Sequence, residues 1–269
     1  MGKVVAVVNQ KGGVGKTSVT LGLASAARAK GHRALVVDLD PQGASTWVLG
    51  VDADRVKRTA ADALASGRNG ALRDVVMGSE WGHLVDVAPS GPALQQHETS
   101  SRSGLETLLS GRSSGRLRRG LEGVSRGYGV VLVDCPPSLG ELTTNALAAA
   151  DYALLVVEPT ALSLRGVEPV ADLIETVWGR DNRRLDLAGV IVNRMPARGA
   201  DATIRYEELA RTVGESAVWE PAIPQRIVVA EAASARRPIH DLGSRARDVA
   251  TAFDALYGQL WQLIKPTRV

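Results

Sequence analysis

Val4-Val5-Ala6-Val7-Val8, then Asn9-Gln10, then Lys11-Gly12-Gly13-Val14-Gly15-Lys16-Thr17-Ser18: the reading of this stretch decides the fold. The apolar run is short, β-branched and continuous, as in a parallel strand buried on both faces. The glycines after it let the backbone curl so that successive N–H groups point inward at phosphate oxygens. A helix beginning near Lys16 adds the positive end of its dipole. The segment is a phosphate-binding loop of the G-x-x-x-x-G-K-[ST] kind, with Gly12 or its neighbour opening the turn. In such a loop Lys16 reaches the β and γ phosphates and the Thr17 hydroxyl takes Mg²⁺. A second lysine, Lys11, stands at its head. An ordinary βα turn with an exposed lysine is the alternative reading, and it leaves the agreement of strand, glycines and lysine unexplained.

Outward from the loop, residues 17–30 carry apolar positions at helical spacing (Val19, Leu23, Ala26, Ala27) and Gly31 supplies the stop. Residues 34–38 form a second buried strand. Residues 53–74 are alanine-rich and predict small helices, and residues 84–88 a strand ending at Pro89. Between 100 and 126 the pattern weakens; Arg102, Arg112, Arg116, Arg118 and Arg119 sit there among serines and glycines, which predicts surface helix and loop. Regularity returns with strands at 130–134, 152–157 and 187–193 and helices at 139–150 and 162–178. A helix over 202–213, a short strand near 217–220 and a long helix over 245–264 complete the chain. Alternating β and α predicts a single α/β domain over residues 1–269, of the P-loop NTPase fold, with a mostly parallel twisted sheet and helices on both faces.

The composition agrees. The 269 residues are 45% apolar, enough for a sizeable core. No apolar run approaches the roughly 20 residues that span a bilayer, and Met1-Gly2-Lys3 leads straight into the first strand, so the expected location is the cytoplasm. One cysteine, Cys135, excludes an internal disulfide framework and is expected to be a small buried hydrophobe. The net charge of +3 is modest and its excess is carried almost wholly by arginine, which permits a polyanionic partner without requiring one.

Ligands of such sheets bind at the carboxyl ends of the strands. The second strand ends in Asp38-Leu39-Asp40-Pro41-Gln42-Gly43, and the strand at 130–133 in Asp134-Cys135-Pro136-Pro137. An apolar strand terminated by aspartate holds Mg²⁺ through water in nucleotide sites, which makes Asp134 the metal-side carboxylate. Asp40, between residues suited to a mobile segment, is the candidate for orienting the attacking water and a possible further metal contact. Asp38 is expected to be structural. Any one of them alone reads more readily as a cap or turn residue, and three at strand ends beside a phosphate loop reverse that preference.

These residues together carry a resemblance. Residues 11–17, Asp38-x-Asp-Pro-Gln42 and Asp134-x-Pro-Pro137 resemble the deviant Walker A ATPases, and among them most closely the ParA partition proteins; Val192-Asn193-Arg194, Ile223-Pro224, Ala230-Glu231-Ala232 and Pro238-Ile239 extend the likeness over nearly the whole chain. The resemblance implies an ATPase with ATP and Mg²⁺ as ligands, a nucleotide site made of Lys11, Gly12, Gly13, Val14, Gly15, Lys16, Thr17 and Ser18, and Asn193 and Pro224 framing adenine. It implies that Lys11 crosses a homodimer interface to the partner's phosphates, stabilising transferred charge as an arginine finger does; contact with its own phosphate or with solvent is the alternative. It further implies non-specific DNA binding by the ATP-bound dimer and release by a ParB-like partner. Candidate DNA contacts are Arg194, Arg198, Arg205, Arg226, Arg236 and Arg237, each of which reads equally as a solvated surface residue. Many relatives carry Pro-Arg-Asn where this chain has Pro224-Gln225-Arg226, so that surface is expected to be rearranged. With the loop at residue 11, no amino-terminal helix-turn-helix domain is expected. Two rivals remain. A MinD-like membrane ATPase needs a basic amphipathic tail; residues 253–264 place Leu256, Leu260, Leu263 and Ile264 on one stripe, with lysine only at Lys265. A metabolic enzyme or electron carrier on the same fold needs paired cysteines for a cluster or a substrate pocket beyond the adenine site.

Overall fold

The structure is a computed structural model that describes residues 2–99, 114–161 and 166–265. Eight strands form one sheet in the order β3-β4-β2-β5-β1-β6-β7-β8. They are β1 (Lys3–Val8), β2 (Ala34–Asp38), β3 (Met77–Gly78), β4 (Val85–Ala88), β5 (Val130–Asp134), β6 (Tyr152–Val157), β7 (Asp186–Val192) and β8 (Val218–Trp219). Every pairing is parallel except that of β3 with β4.

The first strand lies at the centre, between β5 and β6. Its side chains alternate between two cores: Val4, Ala6 and Val8 face one, Val5 and Val7 the other. This two-sided burial is why the run is apolar at every position rather than at every second one. One face is covered by α3 (Ala60–Ser66), α5 (Arg116–Gly120), α6 (Glu141–Ala149), α7 (Val167–Arg180) and α8 (Ala200–Val213). The other is covered by α1 (Lys16–Ala29), α9 (Ile227–Ser234) and α10 (Arg247–Ile264), with the short α2 (Ala44–Val48) beside them. The helix α4 (Leu94–Thr99) precedes a stretch outside the described residues.

The expected strands and long helices are found within a few residues. Of the arginine-rich segment at 100–126, residues 100–113 lie outside the described residues, and the remainder is α5 followed by a single turn over Ser125–Gly127. The first residues of the helix expected at 162–178 likewise lie outside them. Sequence periodicity missed α2, α4 and α9, all too short for a repeat to show, and the two-residue β3. The last helix buries Val249, Ala252, Phe253, Leu256, Tyr257, Leu260 and Ile264. The stripe expected there needs one correction: Leu263 is exposed, whereas Phe253 and Tyr257 belong to the buried face. At about 1.5–3 kcal/mol for each large side chain fully buried, this face is committed to the core against α1. No helix of the described residues is long and apolar enough to cross a membrane.

Candidate nucleotide site

The turn between β1 and α1 is shaped by glycine where nothing else fits. Gly15 has φ +89, and a Cβ there would meet the Asn193 Nδ2 at 2.1 Å. Gly15 also caps α1, whose first turn has neither a side-chain cap nor an acidic residue. Its amide N–H groups are therefore left for an anionic ligand. Gly12 and Gly13 are exposed and Val14 is buried, so the loop is pinned at its middle and open at its crest.

The two lysines take different directions. Lys16 is buried and its Nζ donates to the Lys11 carbonyl oxygen at 3.2 Å, across the mouth of the loop. Burial pulls its pKa below the usual lysine value, opposed by Asp134, Cys135 and Asp40. Lys11 turns to the loop after β6, with its Nζ 3.7 Å from Glu158 Oε2 and donating to Thr160 Oγ1 at 3.4 Å. The backbone at Lys11 is fixed by Asn9, whose Oδ1 accepts the Lys11 N–H at 2.9 Å while its Nδ2 donates to the Val156 carbonyl at 2.6 Å.

Asp38 and Asp134 are paired across the β2–β5 register and are both fully buried. Asp134 accepts the Ser45 hydroxyl at 2.6 Å and a bond from Thr17. Asp38 accepts the Thr46 N–H at 2.8 Å, the Thr46 hydroxyl at 2.7 Å and the Asp40 N–H at 3.1 Å. Burial pushes both carboxyls up from the ordinary range, with their mutual repulsion adding to it at Asp38. Asp40 is half-buried and its carboxylate accepts the Gln42 N–H at 2.9 Å. The Ser90 hydroxyl holds the Asp40 carbonyl at 2.5 Å and the Ser90 N–H donates to Thr46 Oγ1 at 2.8 Å, tying the Asp40 segment to the end of β4. The Thr17 hydroxyl and the carboxylates of Asp134 and Asp40 form an all-oxygen donor set, the kind that suits Mg²⁺. A divalent cation there would relieve the crowding of buried negative charge. No cluster of three or more His, Cys, Asp or Glu side chains with metal-holding geometry occurs among the described residues, so any ion here depends on the hydroxyl, on water and on substrate oxygens.

On the other side of the loop, Asn193 is buried and its Nδ2 donates to the Val14 carbonyl at 2.8 Å. Pro224 bridges to Met195, and the Met195 N–H reaches the Ile223 carbonyl at 2.8 Å. Asn193 and Pro224 are thus brought to one side of the loop through adjoining segments. The arginines disperse into local pairs. Arg194 meets Glu158 at 2.8 Å, Arg205 meets Asp201 and Glu208 on its own helix, and Arg226 meets Asp248 at 2.7 Å. Arg236 stacks over Trp47 at 4.5 Å, Arg237 donates to the Asp241 carbonyl at 2.9 Å, and Arg198 is exposed. Asn9, Ser45, Thr46, Ser90 and Glu158 were missed by sequence reading. The fixed places of Ser45 and Thr46 just after the Asp38 segment were the one signal available. Cys135 is buried, as expected, with its thiol on the Val133 carbonyl.

A central strand, a glycine-bounded loop and carboxylates at the two neighbouring strand ends define a P-loop nucleotide-binding protein. Known proteins agree. Residues 2–187 match a family described as an AAA domain. The sporulation initiation inhibitor protein Soj of Bacillus subtilis is 33% identical over 93% of this chain and 95% of its own length. The chromosome partitioning protein ParA of Myxococcus xanthus is 32% identical over 91% of this chain and 84% of its own length. Among solved structures, cobyrinic acid a,c-diamide synthase from Mycobacterium smegmatis, with bound ATP analog and magnesium, superposes with a TM-score of 0.79 at 28% identity, covering 100% of this chain and 97% of that one. The chain belongs to the ParA/Soj family of P-loop ATPases.

Proposed function

We propose that the chain is an ATP-driven switch for DNA partition, located in the cytoplasm on the nucleoid. It binds ATP with Mg²⁺ on residues 11–18, adenine lying against Asn193 and Pro224. Two copies close face to face, and Lys11 of each reaches the other's phosphates. The observation that carries this reading is the division of labour between the lysines: Lys16 lies across its own loop, while Lys11 is held by Glu158 and Thr160 outside it. The Lys11–Glu158 pair is partly buried but long, at 3.7 Å, a loose contact to exchange for a triphosphate.

The residues then take distinct roles. Lys16 and the N–H groups of the loop hold the β and γ phosphates, and Asp40 orients the attacking water. Asp38 fixes the Asp40 backbone and the start of α2. Thr17, with Asp134 through water, would hold Mg²⁺, which neutralises charge developing on the phosphate oxygens. The closed dimer carries arginines from both copies to DNA phosphates, with Arg194, Arg198, Arg205, Arg226, Arg236 and Arg237 as candidates. Hydrolysis is slow and is accelerated by a ParB-like partner that inserts a basic segment. The output is the difference in DNA affinity between nucleotide states. Retention of DNA measured with ATP, with ADP and without nucleotide tests this; equal retention in all three refutes it.

A second reading follows from the name of the Mycobacterium smegmatis structure, a diamide synthase. Amide transfer from glutamine commonly uses a thiol nucleophile that must reach its substrate. The single cysteine here is buried behind the strand end. Ammonia release from glutamine, coupled to ATP use with cobyrinic acid, would distinguish the two; the partition reading expects none.

A further inference from the structure

A cavity of about 360 Å³ lies beside the phosphate loop, and neither Asn193 nor Pro224 lines it. Its walls come mainly from Leu21 and Gly22 of α1, Trp47 and Val48 of α2, and Val229 and Ala233 of α9, with Phe253 of α10 and Trp81 completing them. That volume is in the range that encloses a small organic molecule. No carboxylate lines it; the charged group on its wall is Arg237, and Arg236 is stacked at its edge over the half-exposed Trp47. Apolar walls with a cationic rim fit a ligand of matching polarity.

We propose that this cavity binds a small amphipathic anion, an aromatic or branched apolar body bearing one acidic group, and that its occupancy is felt by the nucleotide site. The apolar body packs between Trp47 and the faces of α1 and α9, and the acid faces Arg237 and Arg236. Coupling has a direct route, because Thr17 and Ser18 belong to the cavity wall as well as to the phosphate loop. A second route runs through α2. Its Trp47 and Val48 line the cavity, while its Ser45 and Thr46 hold Asp134 and Asp38. A ligand that shifts α2 therefore moves the hydroxyls that set both carboxylates, and by linkage nucleotide shifts ligand affinity by the same factor. This coupling rests on the nucleotide reading above; the binding site itself does not.

The test uses anilinonaphthalene sulfonate, an amphipathic aromatic anion, followed by energy transfer from tryptophan in the full chain. One saturable site is expected. Ala233→Phe, which fills the cavity, is expected to weaken it at least tenfold, and the rim substitution Arg237→Gln, on an exposed residue, about threefold or more. ATP affinity measured with and without saturating probe is expected to differ at least threefold, and the difference to vanish in Ala233→Phe. Probe binding indifferent to both substitutions overturns the site, as does simple competition with Mg-ATP that Ala233→Phe does not alter. Loss of the signal as rising protein concentration pairs the chains would assign the cavity to a second copy and overturn the small-ligand reading. ATP affinity unchanged by the probe overturns the coupling. A chain that takes the probe at this cavity and no ATP upholds the site and sinks the nucleotide reading.

Discussion

Lys16 faces the carboxylates of Asp134 and Asp40, the first of them with no access to water. Replacing it with alanine removes a charge-assisted donor to phosphate, worth about 1.5–3 kcal/mol for each bond, and leaves that negative charge facing the ligand. Lys16→Ala is therefore expected to bind ATP about 100-fold more weakly or worse, read by calorimetric titration; affinity within threefold of wild type would contradict the role. Asp40 is a different case. Its carboxylate supports only a local turn, through the Gln42 N–H, so Asp40→Ala is expected to keep ATP affinity while turnover falls by about 100-fold or more, the usual span for a residue that positions or activates water. Phosphate release with unchanged ATP binding checks it. The aspartates and the loop were legible in the sequence because each ends an apolar strand. Ser45 and Ser90 were not, because their partners lie 89 and 50 residues away and only the packed sheet brings them together.

At the scale of elements, β1 and β5 could be read because burial on both faces writes a continuous apolar run, and α1 because glycine bounds it at both ends. The seam between α1 and α10 could not, since neither helix announces its partner. Gly22 marks that seam: a Cβ there would meet the Phe253 ring at 2.1 Å. Gly22→Ala is expected to cost about 1–3 kcal/mol, as overpacking does in a filled core, seen as a lower midpoint in denaturant at unchanged slope. The same seam holds two histidines. His240 meets Ser25 Oγ at 2.7 Å, and His32 meets the Tyr257 hydroxyl at 2.8 Å and stacks on Trp261 at 3.8 Å. Burial lowers the pKa of both below the ordinary value. At His240 this prevails over Asp254 and Asp241, which raise it, and is aided by Lys30. A histidine depressed in the fold binds its proton more readily when unfolded. Its stability contribution is thus complete above the unfolded pKa of about 6.5 and is lost as pH falls through the lower folded value. Thermal midpoints are expected to drop between about pH 7.5 and about pH 5.5, and to drop less in His240→Gln. An equal drop in both would remove His240 as the cause.

In the whole molecule, a single chain leaves Lys11 on a contact it can exchange. Lys11 is parked on Glu158, which also holds Arg194, so one carboxylate restrains both the lysine at the head of the loop and an arginine proposed for DNA. Pairing that draws Lys11 into a neighbour's triphosphate would leave Glu158 with Arg194 alone, which makes pairing and DNA capture parts of one event. Lys11→Ala should therefore keep ATP affinity within about threefold of wild type, because Lys16 still holds the phosphates, yet remain monomeric in sedimentation with ATP. Without pairing, arginines from two copies no longer act together. Each phosphate neutralised contributes about 0.9 to the slope of log affinity against log salt on duplex DNA, so an ATP-bound wild type contacting through both copies should show about twice the slope of Lys11→Ala. Equal slopes, or a Lys11→Ala chain that pairs normally with ATP, would show that pairing runs through another surface.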